Sequence, residues 1–100
     1  MKFFEVLKEE SINLDINLYN LKPNMCYNNV FNFISLNSYA NKYDICYGYL
    51  EIDNFGEKIL IRHAFLLDKD KNKILDPSFQ FLEKEYNKYY IFKKFDNFYV

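Results

Sequence analysis

The chain has one histidine, two cysteines, two glycines, two prolines and no tryptophan in its 100 residues. Two cysteines and one histidine fall short of the four ligands that a structural zinc site takes. With so few thiols, Cys26 and Cys46 are expected to be free, a disulfide between them requiring an oxidising compartment. No apolar run approaches the roughly 20 residues that span a bilayer, and Met1-Lys2-Phe3-Phe4-Glu5 lacks the long apolar stretch and cleavage site of a signal peptide. The expectation is a cytoplasmic protein without a membrane partner. There is no excess of one charge either: 13 Lys and Arg stand against 14 Asp and Glu, with a pI near 5.8. Such a surface has no field to gather phosphate backbones, so nucleic acid is not an expected partner. Asp68-Lys69-Asp70-Lys71-Asn72 opens like a calcium loop, but Lys73 stands where that loop turns on glycine and Phe79 where it closes on glutamate. Neither metal nor cofactor is expected.

What the chain does have is apolar and aromatic: 50% of residues are hydrophobic and 21% aromatic. That content supports one folded domain over residues 1–100 and excludes disorder. Phe3, Phe4 and Leu7 have the spacing of a short helix over 2–10, and the Asn-rich stretch 11–23 reads as an extended segment or loop. Asn24 is placed as the N-cap of a helix over 25–39 with Tyr27, Val30, Phe31 and Ile34 on one stripe, making Cys26 its second residue. Strands follow at 44–53 and 57–67, the second read as central, with a turn at Asn54-Phe55-Gly56. A charged turn leads to Ile74-Leu75-Asp76, a short helix spans Phe79 to Tyr86, and a last strand runs from Tyr90 to Phe95. The expected class is α+β, helices packed on a small antiparallel sheet.

If the loop between the strands ending at Leu67 and starting at Ile74 centres between Lys69 and Asp70, His63 lies directly across from Asp76. Facing Cβ atoms in an antiparallel pair are about 4.5 to 5.5 Å apart, close enough for a carboxylate to hold an imidazole. Cys26, near a helix start where the dipole stabilises an anion, supplies a nucleophile. A thiol, an imidazole to share its proton and a carboxylate to orient the ring are the parts of nucleophilic cysteine chemistry.

Met25-Cys26-Tyr27-Asn28-Asn29, Tyr47-Gly48-Tyr49, Arg62-His63-Ala64-Phe65 and Ile74-Leu75-Asp76-Pro77-Ser78 together resemble the core of the transglutaminase-like branch of the papain-like cysteine enzymes. The likeness is nearest to small bacterial and phage proteins of that type and covers roughly residues 24 to 80. It implies a catalytic triad of Cys26, His63 and Asp76, and the cytoplasm of a bacterium or an infected host. Many relatives carry Trp where this chain has Tyr27 and Phe65, and an acidic residue where it has Tyr47. These three residues are the expected pocket wall. The implied activity is cysteine-dependent acyl transfer: hydrolysis, deamidation or transamidation of an amide or ester in a protein or peptide substrate. The backbone N–H of Cys26 and the side chain of Asn20, Asn24 or Asn28 are candidate donors to the oxyanion. The alternative is a non-catalytic module of the same fold that binds a protein target, such as a phage-type inhibitor of a host factor. The many aromatics also suit a homodimer.

Overall fold

Two long strands frame the molecule, whose computed structural model describes residues 2–37, 40–83 and 86–95. β2 (Tyr43–Asn54) and β3 (Glu57–Asp68) pair antiparallel from Tyr43 against Asp68 to Asn54 against Glu57. Their branched and aromatic residues suit a pleated, half-buried surface. Phe55 and Gly56 close the hairpin at φ 53° and 85°, the twist that a two-residue loop needs. β1 (Phe3–Phe4), β4 (Lys73–Leu75) and β5 (Tyr89–Phe95) complete an antiparallel sheet in the order β1-β5-β2-β3-β4. Just after β1 the chain crosses to the far edge of the sheet. There Ile74 donates its N–H to the Glu5 carbonyl at 2.8 Å and accepts from the Leu7 N–H at 2.7 Å.

The helices α1 (Lys8–Ile12) and α2 (Cys26–Leu36) make the class α+β. α2 lays Val30, Phe33 and Ile34 on Tyr43, Ile45, Ala64, Leu66 and Leu75 of one sheet face. The other face buries Cys46, Leu50, Phe65, Leu67 and Tyr89 with Val6 and Phe79. Neither helix is long and apolar enough to cross a membrane.

Several expectations need correction. Phe3 and Phe4 pair with Tyr90 and Tyr89 as a strand, and the first helix begins only at Lys8. Asn24 is not a cap: it turns the chain at φ 60°, a conformation Asn tolerates, and Met25 precedes the helix without a side-chain cap bond. Cys26 is therefore the first helical residue. The buried stripe of α2 includes Phe33 in place of Tyr27 and Phe31, which are 46% and 45% exposed. The helix ends at Leu36, and residues 38 and 39 of the expected span lie outside the described residues, as do residues 84 and 85 of the expected closing helix. That second helix is a single 3-10 turn, Phe79–Phe81.

β3 is not central along its length. Pro77 cannot extend a ladder and disfavours helix in the residue before it, so β4 stops after Leu75 and pairs only with Leu66, Leu67 and Asp68. From Glu57 to Phe65, β3 has, among the described residues, a partner strand on one side only. The two-residue loop makes Asn54 and Glu57 a hydrogen-bonded pair, and such pairs alternate along an antiparallel ladder. Odd-numbered residues of β3 thus bond to β2, and even-numbered ones, Ala64 among them, direct their N–H groups off the open edge.

Gly48 is demanded by a close approach. Tyr47 pairs with Lys93 but Gly48 with Ile91, so Phe92 is an extra residue in β5, a bulge that presses the β5 backbone onto β2. A Cβ at position 48 would collide with the Tyr90 carbonyl oxygen. Gly48→Ala is expected to lower the unfolding free energy by about 1 to 3 kcal/mol, read as a lower urea midpoint at unchanged slope.

Candidate active site

The turn at Asn24 and the Asp76-Pro77 corner place three chemically distinct side chains at the open edge of β3. The anchor is Asn29, fully buried in the first turns of α2. Its Oδ1 accepts the Lys22 N–H at 2.9 Å, and its Nδ2 donates to the Lys22 carbonyl at 2.8 Å and to the Ser78 hydroxyl at 2.9 Å. One side chain thereby ties the approach to α2, the helix itself and the corner after β4. Cys26, three residues before Asn29, is held against the edge where β4 has ended. Its sulfur interacts there with the His63 side chain and the backbone N–H of Ala64.

His63 is 7% exposed and stacks on Phe65 with ring centres 6.1 Å apart. Its Nε2 lies 2.8 Å from Oδ2 of Asp76, which leaves Nδ1 as the nitrogen available to the thiol. Asp76 is fully buried. Its Oδ2 also accepts the Tyr89 hydroxyl at 2.6 Å, while Oδ1 accepts the Ser78 N–H at 2.9 Å in an Asx turn around Pro77. Its backbone N–H donates to the Ser11 hydroxyl of α1 at 3.0 Å. Every oxygen of the carboxylate is thus engaged, which holds it in one orientation towards the ring.

His63 and Asp76 do not face each other across the ladder. Leu66 pairs with Leu75 and Asp68 with Lys73, so the loop centres between Asp70 and Lys71, one residue later than expected, and the register moves by two. Because side chains alternate with period two, that shift keeps Asp76 on the face of His63 as a diagonal neighbour. A shift of one would have turned it away.

Burial opposes charge on His63, but the Asp76 carboxylate, its hydrogen bond and the Cys26 sulfur outweigh it, raising the imidazole pKa to about 10. Burial also pushes the Cys26 thiol up; the hydrogen bond from His63, the Ala64 N–H and the imidazolium charge more than offset this, leaving the thiol below its ordinary value of 9.0. The imidazole therefore holds its proton more tightly than the thiol does, and when the two groups share one proton the pair is imidazolium and thiolate. Burial drives the Cys46 thiol the other way, to about 12. Burial and the Asp76 charge push the Tyr89 hydroxyl strongly up, so it remains a proton donor to Asp76.

A cavity of about 280 Å³ opens on the thiol, lined by Asn24, Cys26, Ile61, Arg62, His63 and Phe81 among others. Asn24 alone of the three candidate oxyanion asparagines lines it; Asn28 is exposed on α2, and Asn20 is engaged through its carbonyl with Asn32. Of the expected pocket wall, Tyr27 and Tyr47 meet with ring centres 5.2 Å apart and planes tilted by 46°, and line a neighbouring cavity. Phe65 does not belong to that wall: it is fully buried behind the His63 ring. Both cysteines are free. Among the described residues no three His, Cys, Asp or Glu side chains gather as a metal site.

Sequence reasoning did not find Tyr89, Asn29, Ser78 or Ser11 as parts of this arrangement. Asp-Pro-Ser carries a signal for the Asx turn, whereas the contacts of Tyr89 and Ser11 bridge distant parts of the chain and have no local signature. Comparison with models of protein families, with characterised proteins and with solved structures found no match for the chain.

Proposed function

We propose that the protein is a cysteine-dependent acyl-transfer enzyme with a transglutaminase-like or papain-like core, in which Cys26 is the nucleophile, His63 the proton carrier and Asp76 the orienting group. The observation that carries this reading is the His63 ring held between two partners, Nε2 on Asp76 at 2.8 Å and the other side on the Cys26 sulfur. The thiolate attacks an amide or ester carbonyl and a sulfur–carbon bond forms. His63 gives its Nδ1 proton to the leaving group as the carbonyl carbon's bond to it breaks. Water or an amine then attacks the thioester, its proton passing to His63 as the carbon–sulfur bond breaks and the Cys26 thiolate is released. The backbone N–H of Cys26 at the uncapped start of α2 and the Asn24 side chain are the donors best placed for the oxyanion.

Iodoacetamide tests this directly, because only thiolate is alkylated. Native protein is expected to take up one carbamidomethyl group, at Cys26, with a rate midpoint below that of an ordinary thiol. Cys46, fully buried and with its pKa at about 12, stays unmodified. His63→Ala is expected to slow the Cys26 reaction at neutral pH by roughly tenfold or more. A Cys26 that alkylates with the pH profile of free cysteine, unchanged by His63→Ala, would leave a binding module in place of an enzyme.

A further inference from the structure

The protein has twelve lysines but a single arginine, Arg62. It lies between two cavities and lines both: the one on Cys26, and a second of about 310 Å³. The second cavity is walled by two aromatic pairs, Tyr27 with Tyr47 at 5.2 Å and Tyr49 with Phe92 at 6.4 Å between ring centres. Phe92 is the bulge residue of β5, and Tyr49 is the direct cross-strand partner of Arg62. The remaining lining residues are Gly48 and Lys93, the latter with its ammonium 5.0 Å from the Phe95 ring centre. Among the described residues no carboxylate lines this cavity, although the chain as a whole has net charge -1. Among the described residues Arg62 has neither an ion pair nor a side-chain hydrogen bond. A planar guanidinium presents two parallel donors that match a carboxylate, which a lysine ammonium does not.

We infer that this second cavity receives the C-terminal aromatic residue of a peptide, its ring among the tyrosines and its free α-carboxylate on Arg62. The inference rests on the reading of Cys26 as the nucleophile and names the substrate of that site. Arg62 joins the two cavities, so a ligand with its ring in one and its carboxylate on Arg62 directs its N-acyl group towards the thiol. The order ring, α-carbon with carboxylate, amide nitrogen, carbonyl is that of a peptide's last residue and the bond before it. Cys26 sulfur bonds to the penultimate carbonyl carbon, the carbon–nitrogen bond breaks, and the His63 proton goes to the nitrogen, releasing the free aromatic amino acid. Water then hydrolyses the thioester, giving the shortened peptide acid and restoring the pair.

The test separates binding from chemistry by using the full chain carrying Cys26→Ala. N-acetyl-L-phenylalanine, titrated while backbone amide resonances are followed, is expected to shift Tyr27, Tyr47, Tyr49 and Arg62 and to saturate in the millimolar range. N-acetyl-L-phenylalaninamide, which differs only in the carboxylate, should bind about tenfold more weakly, as should N-acetyl-L-phenylalanine to the same protein carrying also Arg62→Gln or Arg62→Lys. Arg62 is exposed, and well-dispersed spectra of the double variants establish that they fold. Equal affinity for acid and amide, indifference to both Arg62 variants, or tighter binding of phenyl phosphate overturns the inference. A failure here with fast, low-pH alkylation of Cys26 refutes the cavity assignment alone; tight binding with an ordinary Cys26 thiol refutes the enzyme reading and leaves a carboxylate-binding site.

Discussion

Asp76→Ala is expected to lower the unfolding free energy by about 3 to 5 kcal/mol, because it leaves three buried donors without an acceptor. The carboxylate is fully buried and accepts three hydrogen bonds, from His63 at 2.8 Å, the Tyr89 hydroxyl at 2.6 Å and the Ser78 N–H at 2.9 Å. Alanine removes both acceptor oxygens at once and leaves all three donors unpaired. Burial is the largest influence on His63 and opposes its charge. With Asp76 gone, the imidazole pKa should fall from about 10 to below its ordinary 6.5. The ring then rests neutral, and Cys26 loses the imidazolium that holds its thiol down. Two measurements check this: urea unfolding for the stability, and titration of the His63 Cε1 proton by NMR for the pKa. Asp76→Asn separates the roles. It keeps the shape and one acceptor, so it should retain more stability than alanine while losing the raised His63 pKa almost as fully. A variant that titrates near 10 without the carboxylate would mean that Asp76 is not what charges the ring.

The meeting of Cys26, His63 and Asp76 was legible in the sequence because these residues sit on short-range patterns. The alternation of β3 put His63, Phe65 and Leu67 on one face, and the chain does fold so. The distance from His63 to Asp76 came out for a different reason than expected. Asp68 was read as part of the loop; instead it pairs with Lys73, and its Oδ1 accepts the N–H groups of Asp70 and Lys71 at 3.0 and 3.1 Å. Asn72 completes the turn at φ 55°. That turn moves the loop centre by one residue and the register by two. The parity of the strands decides which residues share a face, and an even shift leaves parity alone. The expectation was therefore robust to the error it contained.

What the sequence did not disclose depends on contacts between distant segments. Phe3 and Phe4 have helical spacing with Leu7, but they meet Tyr90 and Tyr89, and pairing with a strand over eighty residues later overrides the local pattern. The rotation of α2 follows from Asn29. Asn29 lies outside the expected stripe of Tyr27, Val30, Phe31 and Ile34, yet it is buried because Lys22 and Ser78 together satisfy its amide. Burying Asn29 turns Phe33 inward and leaves Tyr27 and Phe31 half-exposed. Tyr27 is thereby free to meet Tyr47 and wall the cavity beside Arg62. The same side chain that fixes the helix carrying Cys26 also frees an aromatic for the neighbouring cavity, so the placement of the thiol and the wall of that cavity both follow from one buried amide.

The wild-type protein is expected to lose stability as pH rises from about 6.5 to 10, and His63→Gln to lose much less. The sign follows from the direction of the His63 shift. Its folded pKa, about 10, lies above its ordinary 6.5, so folding favours the protonated ring. That contribution is fully present below 6.5, where the ring is charged in both states, and it is gone once pH has passed 10. One pKa unit corresponds to about 1.4 kcal/mol, so the imidazole by itself would supply on the order of 5 kcal/mol. The thiol works against this. Its folded pKa is lowered, so it adds stability that is present above its ordinary value and lost as pH falls through the folded one. Through part of the window the folded pair holds one proton on the imidazole while the unfolded chain holds one on the thiol, and stability there is flat. The net loss should therefore be smaller, on the order of 2 to 4 kcal/mol. Urea unfolding of both proteins at pH 6, 8 and 10 measures it, with lysines and tyrosines that titrate near the upper end cancelling in the difference. Parallel curves for wild type and His63→Gln would mean that His63 carries no proton into the folded state beyond what it carries unfolded, and the imidazolium–thiolate pair would fall with it.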